Sequence, residues 1–250
     1  GDFETKLENY NILEFQQISD SFNEMTVRIE TLIKEVYETQ LLVKEARLQY
    51  LQAQINPHFM FNVLTMIAIK VKKHRDEELY QTVTSFAGLM RGKLFRRNEV
   101  EIKLKEEMEI AGFYLYLQSE RFKDIITYNI EWESDEIKEC YVPRLCIEPI
   151  VENAVIHGLE PKGTEGRIRV AIREASEDSI NIVVEDDGVG FNVNEMDDRK
   201  DNKNPRVGVM NIQRLIRNLY GDKYGVLFQS EIGKGTIVTV CLPMRKDRTV

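Results

Sequence analysis

The residues best suited to chemistry lie in the stretch Gln52-Ala53-Gln54-Ile55-Asn56-Pro57-His58-Phe59-Met60-Phe61-Asn62. Imidazole, with an ordinary pKa of about 6.5, offers a neutral nitrogen nucleophile near pH 7. Pro57 interrupts a long helical pattern immediately before His58. Lacking an N–H and crowding the carbonyl four residues back, it should bend the helix there and expose the ring. Asn56 and Asn62 could hydrogen-bond near the imidazole. Taken alone, a histidine in an apolar helix is more often a satisfied structural residue, so its meaning depends on the rest of the chain.

Four further pieces belong together about a hundred residues downstream. The first is Glu148-Pro149-Ile150-Val151-Glu152-Asn153-Ala154-Val155-Ile156-His157-Gly158, on a helix. An amide oxygen and a carboxylate at adjacent positions, Asn153 and Glu152, can hold Mg²⁺ directly or through water. The second is Asp186-Asp187-Gly188-Val189-Gly190, at a strand end. A buried aspartate there could accept a hydrogen bond from an exocyclic amine, and the glycines let a ring approach the backbone. The third is Val207-Gly208-Val209-Met210-Asn211, where a helix begins and free N–H groups could meet a phosphate. The fourth is Gly233-Lys234-Gly235-Thr236, a turn into the last strand. Each piece has an ordinary structural reading. Their conjunction, in this order and with a polar loop between the second and third, points to a nucleotide pocket.

That conjunction resembles the N, G1 and G2 boxes of the GHKL ATP-binding fold, shared by histidine kinases, gyrase B and MutL. The stretch Gln54 to Asn62 is similar to the phosphoacceptor motif of LytS-type and YesM-type sensor histidine kinases, and Glu148 to Gly158 to the N box of that branch. Ser21 to Ile29 resembles the second helix of a HAMP signal-relay module. The resemblance implies His58 as phosphoacceptor, with Glu152 polarising the reacting centre and Glu152 or Asn62 orienting the ring. It implies Asn153 as ligand to Mg²⁺. It places ATP against Asn153, His157, Asp186, Gly188, Gly190, Gly208, Val209 and Thr236. In this reading Asp186 meets the adenine amino group, Thr236 supports Asp186 or a bridging water, and a lid spans about 191–206. The partners implied are a second copy of the chain and the receiver domain of a response regulator. Two departures stand out. Arg206 replaces the first glycine of the usual Gly-x-Gly, and Phe59 follows His58 where many histidine kinases carry an acid. A nucleotide-binding scaffold with a degenerate pocket, and a GHKL ATPase in which His58 is structural, are the rival readings.

The elements that must position these residues follow from periodicity. From Ile18 to Ala53 apolar residues recur at coiled-coil spacing, through Phe22, Met25, Ile29, Leu32, Val36 and Val43, with polar residues on the other faces. Such a helix needs a partner for its seam, either a parallel second copy or another helix of the same chain. A helix after Pro57, a polar turn over Val71 to Asp76 and a helix from Glu77 to Phe95 form an antiparallel pair. Two copies make a four-helix bundle. Further helices are expected over Lys105 to Phe122, from Pro143 through Ala154, and over Val207 to Tyr220. Strands are expected around Ile126 to Trp132, Arg167 to Glu174, Ser179 to Glu185, Val226 to Phe228 and Thr236 to Leu242. These strands come mostly as hairpins, unlike a Rossmann repetition. The expected architecture is therefore α+β: a coiled coil over 1–45, a dimeric phosphoacceptor hairpin over 46–98, and a mixed-sheet GHKL (Bergerat) sandwich over 99–250. Asn192 to Pro205, nearly all charge and amide, reads as a loop.

Composition sets bounds. The chain of 250 residues is 30% charged and 42% hydrophobic, with a formal net charge of -8. That balance argues against binding nucleic acid or an anionic membrane surface as a whole. Three widely spaced cysteines and no signal peptide suggest reduced thiols in a cytosolic compartment. No run approaches the roughly 18 apolar residues of a membrane span. The HAMP-like helix implies a bacterial membrane protein whose anchor precedes residue 1.

Overall fold

A computed structural model describes residues 13–53, 57–73, 75–94, 99–123, 125–176, 178–192 and 206–248. The chain divides into two units, Gly1–Asn56 and Pro57–Val250. In the first, α1 (Leu13–Ala53) is one uninterrupted helix of 41 residues. Its coiled-coil positions Ile18, Phe22, Met25, Ile29, Leu32, Val36 and Val43 are all exposed in the single chain.

The second unit begins with α2 (Pro57–Lys73) and α3 (Glu77–Leu94). Pro57 is the first described residue of α2, and the expected bend just ahead of it falls on residues 54–56, outside the described residues. The turn after α2 is shorter than its charge suggests, since Val71, Lys72 and Lys73 remain helical and Arg75 takes the left-handed conformation, φ 58°. Asp76 Oδ1 accepts the N–H of Leu79 at 3.0 Å and starts α3. His74, Phe95 and residues 193–205, most of the expected lid, lie outside the described residues.

The remaining elements are β1 (Glu101–Lys103), α4 (Leu104–Arg121), β2 (Ile126–Trp132), β3 (Tyr141–Pro143), α5 (Glu148–Asn153), β4 (Gly166–Ser176), β5 (Ser179–Asp186), α6 (Arg206–Tyr220), β6 (Gly225–Glu231) and β7 (Gly235–Pro243). Five strands form one mixed sheet in the order β2-β4-β5-β7-β6. Only β2 with β4 is parallel among its pairs. A second small sheet pairs β1 with β3. Strand alternation explains the layers. Ile168, Val170 and Ile172 of β4, Ile180, Ile182 and Val184 of β5, and Val238, Val240 and Leu242 of β7 are buried in one core with Leu104, Met108 and Leu115 of α4 and Ile212 and Ile216 of α6. The intervening Arg167, Arg173 and Glu185 are exposed.

The expectation that Pro143 opens a helix is corrected. Pro143 ends β3, and α5 starts at Glu148. Leu145 between them has φ 56°, a conformation that stops helix or strand from running through. The fully buried Glu107 of α4 accepts the N–H of Leu145 and of Ile147, each at 2.9 Å, and so supplies the cap that the sequence before α5 lacks. Glu107→Ala should therefore lower the unfolding free energy by about 3 kcal/mol, the cost of stranding buried donors. Glu107→Gln, which keeps an acceptor, should lose less. Urea titrations of both variants test this, and equal losses would refute the capping role.

Candidate active site

The last turn of the helix begun by α5 is not α-helical. Ala154–Leu159 forms a π-helical turn, closed by the Glu160 N–H on the Val155 carbonyl. Such widened turns recur at functional sites because they re-aim backbone groups. Here the Gly158 carbonyl accepts the N–H of Val189 at 3.0 Å, joining the helix end to the glycine turn after β5. Both glycines are required by this approach. A Cβ on Gly188 would stand 2.4 Å from the Gly158 backbone, and one on Gly158 would stand 2.6 Å from Asp186 Oδ1.

Asp186, the last residue of β5, is 5% exposed. Its Oδ1 accepts the Gly188 N–H at 2.9 Å. Burial pushes its carboxyl up to about 6; hydrogen bonds from the backbone of Gly188 and Thr236 pull the other way, and neighbouring Asp187 pushes it further up. Asp187 points elsewhere, to Lys162 Nζ at 3.0 Å and the Arg167 N–H at 2.9 Å. Of the two aspartates, only the first faces inward, as strand alternation requires.

Asp186 sits in an open cleft of about 650 Å³, counting the solvent space at its mouth. Asn153 and His157 line one wall, Gly190 and Phe191 another, and Val209, Met210, Phe228 and Thr236 complete it. Gly208, in the first turn of α6, lies beside Asn153, since a Cβ there would be 3.4 Å from the Asn153 amide nitrogen. The start of this 15-residue helix thus lies beside Asn153, where the N–H groups of a first helical turn can meet an anion. Apolar walls complete the cleft: Ile150 of α5, the paired Val184 and Val238 two positions along the strands from Asp186 and Thr236, and the aromatic pair Phe191 and Phe228 at a centroid separation of 6.4 Å. A flat ring with an exocyclic donor fits the buried carboxylate, and a charged tail fits the helix start.

The structure therefore brings together Asn153, His157, Asp186, Gly188, Gly190, Gly208, Val209 and Thr236. Thr236 acts on Asp186 through its backbone, while its hydroxyl lies 3.0 Å from Ser230 Oγ, which in turn accepts the Phe191 N–H at 2.9 Å. Glu152 does not line the cleft; it lies 3.7 Å from Lys93 Nζ of α3. Asn62 is an exposed residue of α2, four positions after His58. His58 lies in the first turn of α2, and its side chain and those of Arg206 and Val207 fall outside the described residues. In the sequence no role falls to Phe228, Ser230 or Lys93, and Gly158 and Phe191 enter only as the end of the N-box stretch and the start of the lid. Gly158 carries a usable signal, a glycine at the end of a helical run. Phe228 carried none, because an aromatic residue in a strand is ordinary core.

Comparison with known proteins agrees with this geometry. Residues 46–126 match the family model described as histidine kinase, and residues 143–246 match the one described as histidine kinase-, DNA gyrase B-, and HSP90-like ATPase. The chain is 33% identical over 228 residues to the sensor histidine kinase YesM of Bacillus subtilis, covering 90% of this chain and 38% of that protein. It is 29% identical to the sensor histidine kinase YpdA of Escherichia coli, covering 82% and 37%. It is 28% identical to the sensor protein LytS of Oceanobacillus iheyensis, covering 86% and 37%. The chain thus spans under two-fifths of the length of these relatives.

Proposed function

The chain belongs to the sensor histidine kinases, and we propose that it transfers the γ-phosphoryl group of ATP to His58 and from there to an aspartate of a response-regulator receiver domain. The observation that carries this reading is the cleft of Asp186. A buried carboxylate, an apolar slot closed by glycines that admit no Cβ, and a helix start beside Asn153 match adenine at one end and phosphates at the other. Asn153 would hold Mg²⁺, which when bound neutralises phosphate charge. The residues of the chain supply position. The neutral His58 nitrogen attacks the γ-phosphorus in line, the bond to the ADP oxygen breaks, and the ring proton passes to solvent. The receiver carboxylate then takes the phosphoryl group and restores the imidazole.

The exposed apolar row of α1 supports a coiled-coil dimer. Met66, Ile67 and Ile69 of α2 and Phe86 of α3, all exposed, support its extension into a four-helix bundle. On this reading the domains run 1–45, 46–98 and 99–250, with a lid over 191–206. A shift of the coiled coil would move His58 relative to the nucleotide. Membrane anchorage ahead of residue 1 belongs to the same proposal. Among the described residues, no helix is long and apolar enough to cross a membrane.

Incubation with γ-labelled ATP and Mg²⁺ tests the reaction. Label on the protein that survives base and is lost in acid is the expected phosphohistidine. Release of free phosphate with no labelled protein would overturn the kinase reading in favour of an ATPase.

A further inference from the structure

The contact between α3 and the nucleotide-binding half is closer than a tether between two parts requires. Helices α2 and α3 run antiparallel, so the first turns of α2 and the last turns of α3 share one end of the hairpin. The Phe61 ring lies 4.1 Å from the Arg91 guanidinium and fixes that end. His58 sits one turn before Phe61. At this same end α3 is seated on α4 through two glycines. A Cβ on Gly88 would stand 2.4 Å from the Phe113 ring, and one on Gly92 would stand 2.5 Å from Ile110 Cγ1. Arg144, just ahead of α5, donates to the Gly92 carbonyl at 2.9 Å.

Lys93 completes the joint. Its Nζ lies 2.8 Å from Glu148 Oε1 and 3.7 Å from Glu152 Oε2. Glu148 is the first residue of α5 and its side chain is 2% exposed, so its charge depends on a cation that another element brings to it. Burial raises the Glu148 carboxyl and Lys93 opposes the shift. Glu152 is next to Asn153, which lines the cleft. A lysine in the last turn of a helix is favourable to the helix dipole wherever it occurs. That general effect needs no buried partner, whereas here the lysine reaches two acids one turn apart on the helix that carries Asn153.

We propose that Lys93 is a positioning residue for phosphoryl transfer: by pairing with Glu148 and Glu152 it ties the His58 end of the hairpin to α5 and so sets where Glu152 stands relative to His58 as the phosphoryl group moves. The inference rests on the histidine-kinase reading above. Its consequence is a separation of effects. The adenine end of the cleft, around Asp186, is built without Lys93. Losing Lys93 should slow transfer and leave nucleotide binding nearly intact.

The test uses the full chain with Mg²⁺ and γ-labelled ATP, measuring initial labelling rate at saturating nucleotide and ATP affinity separately. Lys93→Met should slow labelling at least tenfold with ATP affinity within threefold of the parent, and Lys93→Arg should recover most of the rate. Lys93→Met alone strands a buried carboxylate, so the double variant Lys93→Met, Glu148→Gln guards against simple unfolding. It should fold, bind ATP and remain slow. Without nucleotide, its amides over 90–94 and 148–153 should exchange faster than in the parent, reporting the loosened joint directly. A double variant that labels at the parental rate would show that Lys93 only neutralises Glu148. A rate above the parental one would make the contact a brake. A parallel fall of rate and ATP affinity would make it structural. Each of these three results overturns the proposal. A parent protein that acquires no label on His58 overturns the kinase reading and this inference with it.

Discussion

Asp186→Asn should weaken ATP binding roughly a hundredfold and at the same time make the empty protein more stable above pH 6. The first effect follows from chemistry at the adenine end. An ionised carboxylate accepts a hydrogen bond from an exocyclic amine, and a bond to a charged group is worth about 1.5–3 kcal/mol. The asparagine amide could present its NH₂ to that amine, so a donor would meet a donor. Near 3 kcal/mol the loss is about two decades in affinity. The second effect follows from burial. The Asp186 carboxyl is raised from 3.8 to about 6 in the folded protein. Between those values the folded state holds the proton and the unfolded state does not. The group's stabilising contribution is therefore full below pH 4 and lost as pH rises through 6. The loss is up to about 3 kcal/mol by the usual 1.4 kcal/mol per unit. Asparagine does not titrate and escapes it. Thermal melts of parent and variant between pH 4 and 8, without nucleotide, should draw apart between pH 4 and 6 and stay apart above it, with the variant higher. Melting curves that track each other, or unchanged ATP affinity, would show that Asp186 is not the buried acceptor of this cleft.

That trade explains which parts of the site were legible in the sequence. Asp186 was, because period-two alternation through Val184 fixes which of two adjacent aspartates turns inward, and the glycines that follow leave room beside it. The helix start at Gly208 was legible for the same local reason. The N-terminus of α5 was not. Pro143 is a common helix opener, and nothing nearby in the chain announces that Glu107, 36 positions earlier, caps the helix instead. The π-helical turn was equally hidden, because its register depends on Gly158 meeting Val189 from a distant strand. Glu152 shows the limit most clearly. Nothing around it in the sequence points to Lys93, 59 positions earlier, yet the fold brings Glu152 within 3.7 Å of that lysine on α3. Local periodicity identifies what one element offers, whereas caps and ion pairs between elements are set by the tertiary arrangement.

His58→Ala should abolish protein labelling while leaving ATP affinity within twofold and stability within about 0.5 kcal/mol. The separation follows from the topology. His58 belongs to α2, whereas the cleft is walled by α5, its π-helical extension, the ends of β5 and β7, β6 and α6. Alanine is the best helix former, so the first turn of α2 survives the change. What disappears is the nucleophile. No flanking residue replaces it, because Pro57 and Phe59 carry no nucleophilic atom and Asn62 offers only an amide. The variant distinguishes the readings that share this fold. An ATPase with a structural His58 would keep releasing phosphate at the parental rate. A nucleotide-binding scaffold would show no label in either protein. A kinase that uses His58 would lose label completely and retain the nucleotide, because Asp186, Asn153 and the start of α6 are untouched. Acid-labile label persisting in His58→Ala would move the phosphoacceptor to His157, which lines the cleft, or to His74, the other two histidines of the chain.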